Sequence, residues 1–332
     1  MVLRKIFNRN LNRRLCDNKS MSSEPEFRFN RRYIFVVLML LLALYIILPQ
    51  IGNFKSSLHL LTHPELGWTV IAIVLTFLTY SAGAATYCLL AFKNLSYRRT
   101  VVVQFAAMFI NRLLPGGIGA LGANFVYLKR QKHTSAQAAS VVAVNNLLGG
   151  LGHYLLLGSV LILTGYSTIQ ASQSKGALNQ NIKYFWLVLL IAAVLVFIFG
   201  RKKFKSGLID LKNQLLEYRH RPKRIGLALI TSICLTTFNV LALQACAAAL
   251  GVHLNFAVIM LIFTLGIGAG TATPTPGGLG GFEAGLVAGF VAFKVDSSTA
   301  LAIALLYRLI SYWLTLAVGA TAFFISQKQK YI

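Results

Sequence analysis

Thr273-Pro274-Thr275-Pro276-Gly277-Gly278-Leu279-Gly280-Gly281-Phe282-Glu283-Ala284 interrupts an otherwise apolar stretch, residues 257–293. A second interruption, Pro115-Gly116-Gly117-Ile118-Gly119, splits the apolar stretch 101–128. Proline removes a backbone donor and clashes with the preceding helical turn, and adjacent glycines weaken a helix further. The arms on either side run to roughly 11–17 residues, about 16–25 Å of helix, which is short for a ~30 Å hydrocarbon core. Each stretch is therefore either one badly broken crossing or a re-entrant hairpin that enters and leaves by the same face.

The surrounding chain sets the class. Of its 332 residues, 56% are hydrophobic and 12% charged, and its mean hydropathy is +0.67. A soluble protein of this length needs about twice that charge to cover its surface. Apolar runs at 33–48, 68–92, 136–163, 184–200, 225–250 and 299–325 predict about six full transmembrane helices. Trp68, Tyr184 and Trp186 stand at span ends, where amphipathic rings favour the interface. The fold class expected is an all-α polytopic integral membrane protein with two broken or re-entrant hairpins. Residues 1–32 form a basic tail with nine Lys/Arg against Asp17, Glu24 and Glu26. The run after it is long for a signal-peptide core, and Leu48-Pro49-Gln50 is no small-residue cleavage site, so a retained anchor is expected. Met21 is an alternative start that would shorten only the tail.

Charge decides between crossing and hairpin for 101–128. With a hairpin there, 26 of the 32 Lys and Arg fall on one side, four on the other, and Arg112 and Arg308 within the membrane. With a crossing, Lys129, Arg130, Lys132 and the nine cations of 201–224 would lie outside, against the positive-inside rule. The expected topology is a multi-pass protein of the cell membrane with both tails, 1–32 and 326–332, in the cytoplasm. The formal charge of +24 then reads as basic loops against an anionic leaflet rather than as nucleic-acid binding. The loop 201–224 is expected to form an amphipathic surface helix on anionic lipid.

A shift of 161 residues lays Pro115–Gly119 on Pro276–Gly280 and Ala123 on Ala284. Both breaks are followed by a second arm, a short polar link and a long span. The halves, 33–164 and 184–325, then hold three net crossings each, which forces opposite orientations. Inverted repeats meeting at broken helices are a recurring transporter architecture with the site near the midplane.

Function is sought at the breaks and at charges within apolar segments. A half-helix starting near Ile118 or Leu279 would aim free N–H groups at the membrane centre, and Gly116, Gly117, Gly277 and Gly278 would let a ligand approach that backbone. Such ends suit a phosphate or phosphodiester headgroup; the competing reading is a tight buried turn. Glu283 is the only acid in an apolar segment. It either forms a structural ion pair with Arg308, or handles a proton or cationic group while Arg308 and Arg112 meet a lipid phosphate. Asn111, Asn145, Asn146, His153, Asn239 and Gln244 read as interhelical glue, and the glycines near Gly149 and Gly266–Gly270 as close helix packing. Cys16, Cys88, Cys234 and Cys246 show no metal or redox spacing and predict no disulfide. With no nucleophile–base pair, metal-ligand spacing or nucleotide loop, neither enzyme activity, a metal nor a cofactor is expected.

The second break, with Ala304-Leu305-Leu306-Tyr307-Arg308 in the last span, resembles the lysylphosphatidylglycerol synthase/flippase-type transmembrane family over 33–325. The resemblance implies a flippase-like domain that moves or presents polar lipids. It places Glu283 and Arg308 on motif positions. With them, Arg112, Pro115, Gly116, Gly117, Gly119, Pro276, Gly277, Gly278, Gly280 and Tyr307 are the candidate binding residues. Family members that synthesise the aminoacyl lipid carry a further soluble domain, so a chain ending at Ile332 is not expected to make it. The family's first repeat often has a Gly-Glu pair and an acidic-Arg pair; Gly122, Asn145 and Asn146 stand there in this chain, which weakens the case for an acid-dependent step in the first half. Three readings follow: translocation of an anionic or polyprenyl-linked lipid, a membrane partner presenting lipid to a lipid-modifying enzyme or glycosyltransferase, and a small-anion transporter.

Overall fold

Proline and glycine stop the helices where the sequence places them. The structure, a computed structural model, describes residues 60–62, 64–114, 118–171 (side chains to 162), 218, 221–273 and 275–332, all within the compact unit Leu42–Ile332. The expected spans 33–48 and 184–200, the turn Pro115-Gly116-Gly117, and most of the 201–224 loop lie outside the described residues, as does Pro274. The helices are α1 (Leu66–Leu90), α2 (Tyr97–Leu113), α3 (Ile118–Arg130), α4 (Ser135–Ala171), α5 (Pro222–Ala249), α6 (Phe256–Ala272), α7 (Gly281–Ala292), α8 (Ser297–Arg308) and α9 (Thr315–Lys328). A 3-10 turn, Pro276–Gly278, precedes α7, and a π-helical segment, Leu309–Leu314, joins α8 to α9. No strand occurs among the described residues.

Among the described residues, four helices are long and apolar enough to cross a membrane: Leu66–Leu90, Ser135–Ile162, Pro222–Ala249 and the composite Ser297–Lys328. They coincide with the four predicted spans that fall on described residues. Their starts follow local chemistry. Pro222 occupies the first turn of α5, where its missing N–H is harmless. Asn255 caps the shorter α6 by accepting from the Val258 N–H at 2.9 Å, and Asp296 caps α8 through the Ser298 and Thr299 N–H groups.

Both interrupted stretches are hairpins. A Cβ on Gly281 would lie 2.7 Å from the Ala269 carbonyl oxygen, one on Gly285 2.8 Å from that of Leu265, and one on Gly289 2.9 Å from Ile262. The descending order of partners makes α6 and α7 antiparallel and in backbone contact, an arrangement that a spacing of four between glycines permits. In the first half a Cβ on Gly119 would meet the Asn111 backbone at 2.6 Å, so α3 turns back directly onto α2. Gly266 and Gly270 pack against Leu286 and Phe282, and Gly152, three residues after Gly149, packs against the Ile233 backbone (3.3 Å), as expected; the would-be Cβ atoms of Gly149 and Gly268 meet no described atom within 4 Å.

The corresponding helices of the two halves, α1 and α5, run antiparallel along their length. The Glu65 N–H donates to the Ala249 carbonyl (2.9 Å) at one end, and Thr86 and Thr231 share a hydroxyl hydrogen bond (2.8 Å) toward the other. Opposed equivalent helices are what inverted halves require. The halves also exchange partners: α9 packs on α2, with Gly319 against the Phe105 carbonyl, and α4 meets α6 through His153 and Thr264 (3.2 Å). The largest apolar core joins α5, α6, α7 and α8 around Leu243, Ile259, Leu286, Phe290 and Ile303, all fully buried.

The second half-helix starts at Gly281, two residues past Leu279, because Gly277, Gly278 and Gly280 all have positive φ (64°, 66° and 86°), which a right-handed helix cannot contain. One feature departs from expectation. The last span is not a uniform α-helix: residues Leu309–Leu314 widen into a π segment.

Candidate functional site

The π segment creates the first part of the site. Widening a helix removes its normal i→i−4 pairing and leaves carbonyls to be satisfied from outside. Arg112, on α2 of the other half, supplies the donors. Its Nη1 donates to the Tyr312 carbonyl and the Thr315 hydroxyl, and its Nη2 to the Ser311 carbonyl. Nη2 also donates to the Tyr80 hydroxyl at 3.3 Å, and the guanidinium lies 4.6 Å from the centre of the Tyr312 ring. Arg112 is 8% exposed, with both Nη atoms engaged by protein.

The second break builds the rest. Glu283 Oε2 accepts the Gly280 N–H at 2.8 Å, so this carboxylate caps the half-helix that it begins. Glu283 Oε1 lies 2.6 Å from Arg308 Nε. The Nε–H is not directed at that oxygen, so the contact is Coulombic rather than a linear hydrogen bond. Arg308 Nη2 lies within 3.3–3.4 Å of Glu283 Oε2 and the Gly277 and Gly278 carbonyls. The guanidinium lies 4.4 Å from the Phe282 ring centre and 5.4 Å from that of Tyr312. Two arginines from opposite halves thus share one tyrosine ring, within cation–π range.

Arg308 is 9% exposed, yet its Nη1 donates to no group among the described residues. Arg308 lines a cavity of about 290 Å³. Both halves line that cavity: Thr79, Tyr80 and Gln104 from the first, and Asn239, Tyr307 and Arg308 from the second, with Arg112 and Ser311 at the inter-half contact. The Tyr307 hydroxyl donates to Asn239 Oδ1 (3.4 Å), and its ring stacks on Phe282 at 6.0 Å.

The residues singled out from sequence divide into three groups. Arg112, Tyr307 and Arg308 line the cavity, with Glu283 directly behind Arg308. Pro276, Gly277, Gly278 and Gly280 form the turn that grips Arg308. The space a Cβ would take at Gly277 is filled by Tyr312 (2.5 Å) and at Gly278 by the Gly270 carbonyl (2.8 Å), so these glycines serve protein packing, and Arg308 rather than bare backbone faces the cavity. Gly119 packs against α2, and Asn111 Oδ1 takes the Ala120 N–H (3.2 Å), capping the first half-helix. Pro115, Gly116 and Gly117 lie outside the described residues. The sequence reading did not single out Tyr312, Tyr80, Gln104 or Phe282. Only their aromatic or amide character within apolar spans marks them, and that does not separate a cavity wall from core. Asn239 does reach the cavity, whereas Gln244 bonds the Leu254 carbonyl (2.9 Å) nearby in its own half.

A second, shallower cleft of about 600 Å³ lies at the start of α5 between Phe92, Asn94, Arg221, Lys223 and Arg224. Arg221 stands over the Phe92 ring at 5.3 Å. It is the described end of the basic loop.

Residues 33–319 match the family model described as the lysylphosphatidylglycerol synthase TM region. A UPF0104 membrane protein of Methanocaldococcus jannaschii is 28% identical over 231 residues, 67% of this chain and 95% of that protein. One from Pyrococcus horikoshii is 22% identical over 328 residues, covering 87% of this chain and 95% of its own. A shorter match, 34% over 96 residues and 29% of each chain, is to a UPF0104 membrane protein of Methanothermobacter thermautotrophicus.

Proposed function

We propose that this chain, which belongs to the lysylphosphatidylglycerol synthase transmembrane-region family and is an integral multi-pass membrane protein, moves a polar lipid headgroup through the cleft between its halves without making or breaking a bond. The observation that carries this reading is Arg308: a largely buried guanidinium, tied to Glu283 on one edge and with no acceptor for its Nη1 among the described residues, lines a cavity shared by both halves. A planar guanidinium is suited to phosphate oxygens. A headgroup in the cavity would satisfy it while acyl chains stay in lipid. The inter-half contacts through Arg112 and the π segment supply a joint at which the halves could rock. Charge bias supports both tails in the cytoplasm and the cell membrane as location.

The test is a fluorescent-lipid translocation assay in liposomes with the reconstituted full chain and an Arg308→Leu variant checked for folding by size-exclusion profile. Translocation above protein-free vesicles, differing between headgroups and lost with Arg308→Leu, is the expected result. Absence of any protein-dependent translocation, or equal rates with the folded variant, would overturn the reading. Retention of one lipid through purification without translocation would turn it into lipid presentation to a separate enzyme.

A further inference from the structure

Among the described residues, two guanidiniums line the cavity and no carboxylate does. Arg112 and Arg308 are the formally charged residues of its described wall. Glu283 stands behind Arg308, with one oxygen beside Arg308 Nε and the other holding the Gly280 N–H. Neither oxygen is offered to a ligand. The other described acids, Glu65 and Asp296, stand at the outer ends of α1 and α8. Arg112, Arg308 and Glu283 together leave one positive charge. Buried charge is tolerated when it is balanced, and an unbalanced remainder of either sign is penalised.

We infer that the cavity selects a headgroup with one net negative charge: a phosphodiester whose second substituent is an uncharged polyol or sugar. The inference rests on the headgroup reading above and deepens it by naming the substrate class. The phosphate belongs at Arg308 Nη1. The hydroxyls of a polyol find donors and acceptors on Thr79, Tyr80, Gln104 and Asn239. A volume of about 290 Å³, at the lower edge of the ~300–1,000 Å³ typical of small-molecule pockets, holds a headgroup and not a whole lipid.

An ammonium-bearing headgroup meets the opposite conditions. It would enter a low-dielectric space facing two guanidiniums, with no acid to pair. Aromatic faces are the other means of holding a cation, and those at hand are already in use. Phe282 carries Arg308, and Tyr312 carries both arginines. A phosphomonoester, close to two negative charges above its second ionisation, overshoots the single positive charge.

The experiment is a binding series at pH 8 with the purified full chain in phosphatidylcholine nanodiscs. The lipids are phosphatidylglycerol, lysyl-phosphatidylglycerol, phosphatidylethanolamine and phosphatidic acid. Deacylated glycerophosphoglycerol and inorganic phosphate run as separate soluble probes. Phosphatidylglycerol is expected to bind at least tenfold more tightly than the other three lipids, with glycerophosphoglycerol competing weakly and phosphate not at all. Glu283→Gln keeps a cap acceptor for Gly280 but raises the local charge to two. It should shift the phosphatidic acid to phosphatidylglycerol ratio at least tenfold toward phosphatidic acid. The wild-type series decides alone if that variant does not fold.

Saturable binding in which lysyl-phosphatidylglycerol or phosphatidylethanolamine equals or exceeds phosphatidylglycerol overturns this inference while leaving headgroup translocation intact. Saturable binding of no lipid overturns both. Soluble diester bound as tightly as the lipid, with no lipid translocated, transfers the site to a free anion and also overturns both.

Discussion

Replacing Glu283 or Arg308 singly should destabilise the protein far more than replacing both. The two side chains are 17% and 10% exposed, so solvent screens the pair little. Arg308→Leu leaves a carboxylate supported, among the described residues, by the Gly280 N–H alone. Breaking a buried pair in this way costs about 3–5 kcal/mol. It also strips the Gly277 and Gly278 carbonyls of their shared donor, a further ~1 kcal/mol for weak, long bonds. Glu283→Leu strands a cation and uncaps the half-helix, for a similar total of about 4–6 kcal/mol. In the double variant the stranded-charge contribution disappears and the cap and carbonyl losses remain, about 2 kcal/mol. Equilibrium unfolding in mixed micelles, beside thermal midpoints, should therefore rank wild type above the double variant and the double variant above either single. The same double variant, though folded, should not translocate lipid, because Arg308 Nη1 is gone. A double variant as unstable as the two singles summed would refute the coupling. One that is stable and fully active would remove both residues from the mechanism.

Two further outcomes follow from packing and from a titrating side chain. Gly281→Ala should destabilise by about 1–3 kcal/mol, since its Cβ would sit 1.9 Å from Thr273 Oγ1 and 2.7 Å from the Ala269 carbonyl. Adding Thr273→Ala should recover only part of this, because the backbone clash remains, while Gly149→Ala, with no described atom within 4 Å, should be neutral or stabilising; unfolding measurements that rank the three otherwise would refute the hairpin packing. His133, in the polar link between α3 and α4, is held neutral: Nε2 accepts the Lys93 N–H (3.2 Å) while Nδ1 faces the Leu128 carbonyl (3.1 Å), and burial pushes its pKa below 6.5, with the Lys93 charge acting in the same direction. Because the unfolded chain then binds the proton more readily, stability is full above pH 6.5 and falls as pH drops through the folded pKa. His133→Gln should flatten that acid-side loss in a thermal unfolding series from pH 7.5 to 5, and an unchanged slope would clear His133 of any role.

The backbone plan was legible because proline and glycine act locally. The interruptions at 115–119 and 276–280 fix where helices end, and α2, α3, α6 and α7 stop and start within a few residues of them. Charge asymmetry supplied the hairpin for the first interruption, and the repeat supplied it for the second. The glycine ladder of α7 on α6 then shows that hairpin directly. The ion pair of Glu283 with Arg308 was legible as one of two alternatives, since an acid and a base isolated in apolar segments have few other partners. What a single sequence did not separate was the role of the glycines from that of Arg308. Pro-Gly-Gly permits both a ligand cradle and a tight turn, and only the positions of Tyr312 and Gly270 decide between them.

The π segment was not legible at all, and the reason bears on function. Residues Leu309–Leu314 contain neither proline nor glycine, so nothing local widens the helix there. The compensation comes from Arg112, about 200 positions earlier, which supplies donors to the Ser311 and Tyr312 carbonyls. Read locally, Arg112 is an unexplained membrane charge and Tyr312 an ordinary aromatic. Together they form one joint, in which the arginine of one half holds open the helix of the other and both arginines meet the same ring. The joint lies one residue past Arg308 in the chain, with Ser311 on the cavity wall. Any rocking of α2 against the last span must therefore change the carbonyls that Arg112 grips and the ring against which Arg308 rests. The proposed headgroup site and the contact between the halves cannot move independently, which is the coupling that alternating access would require.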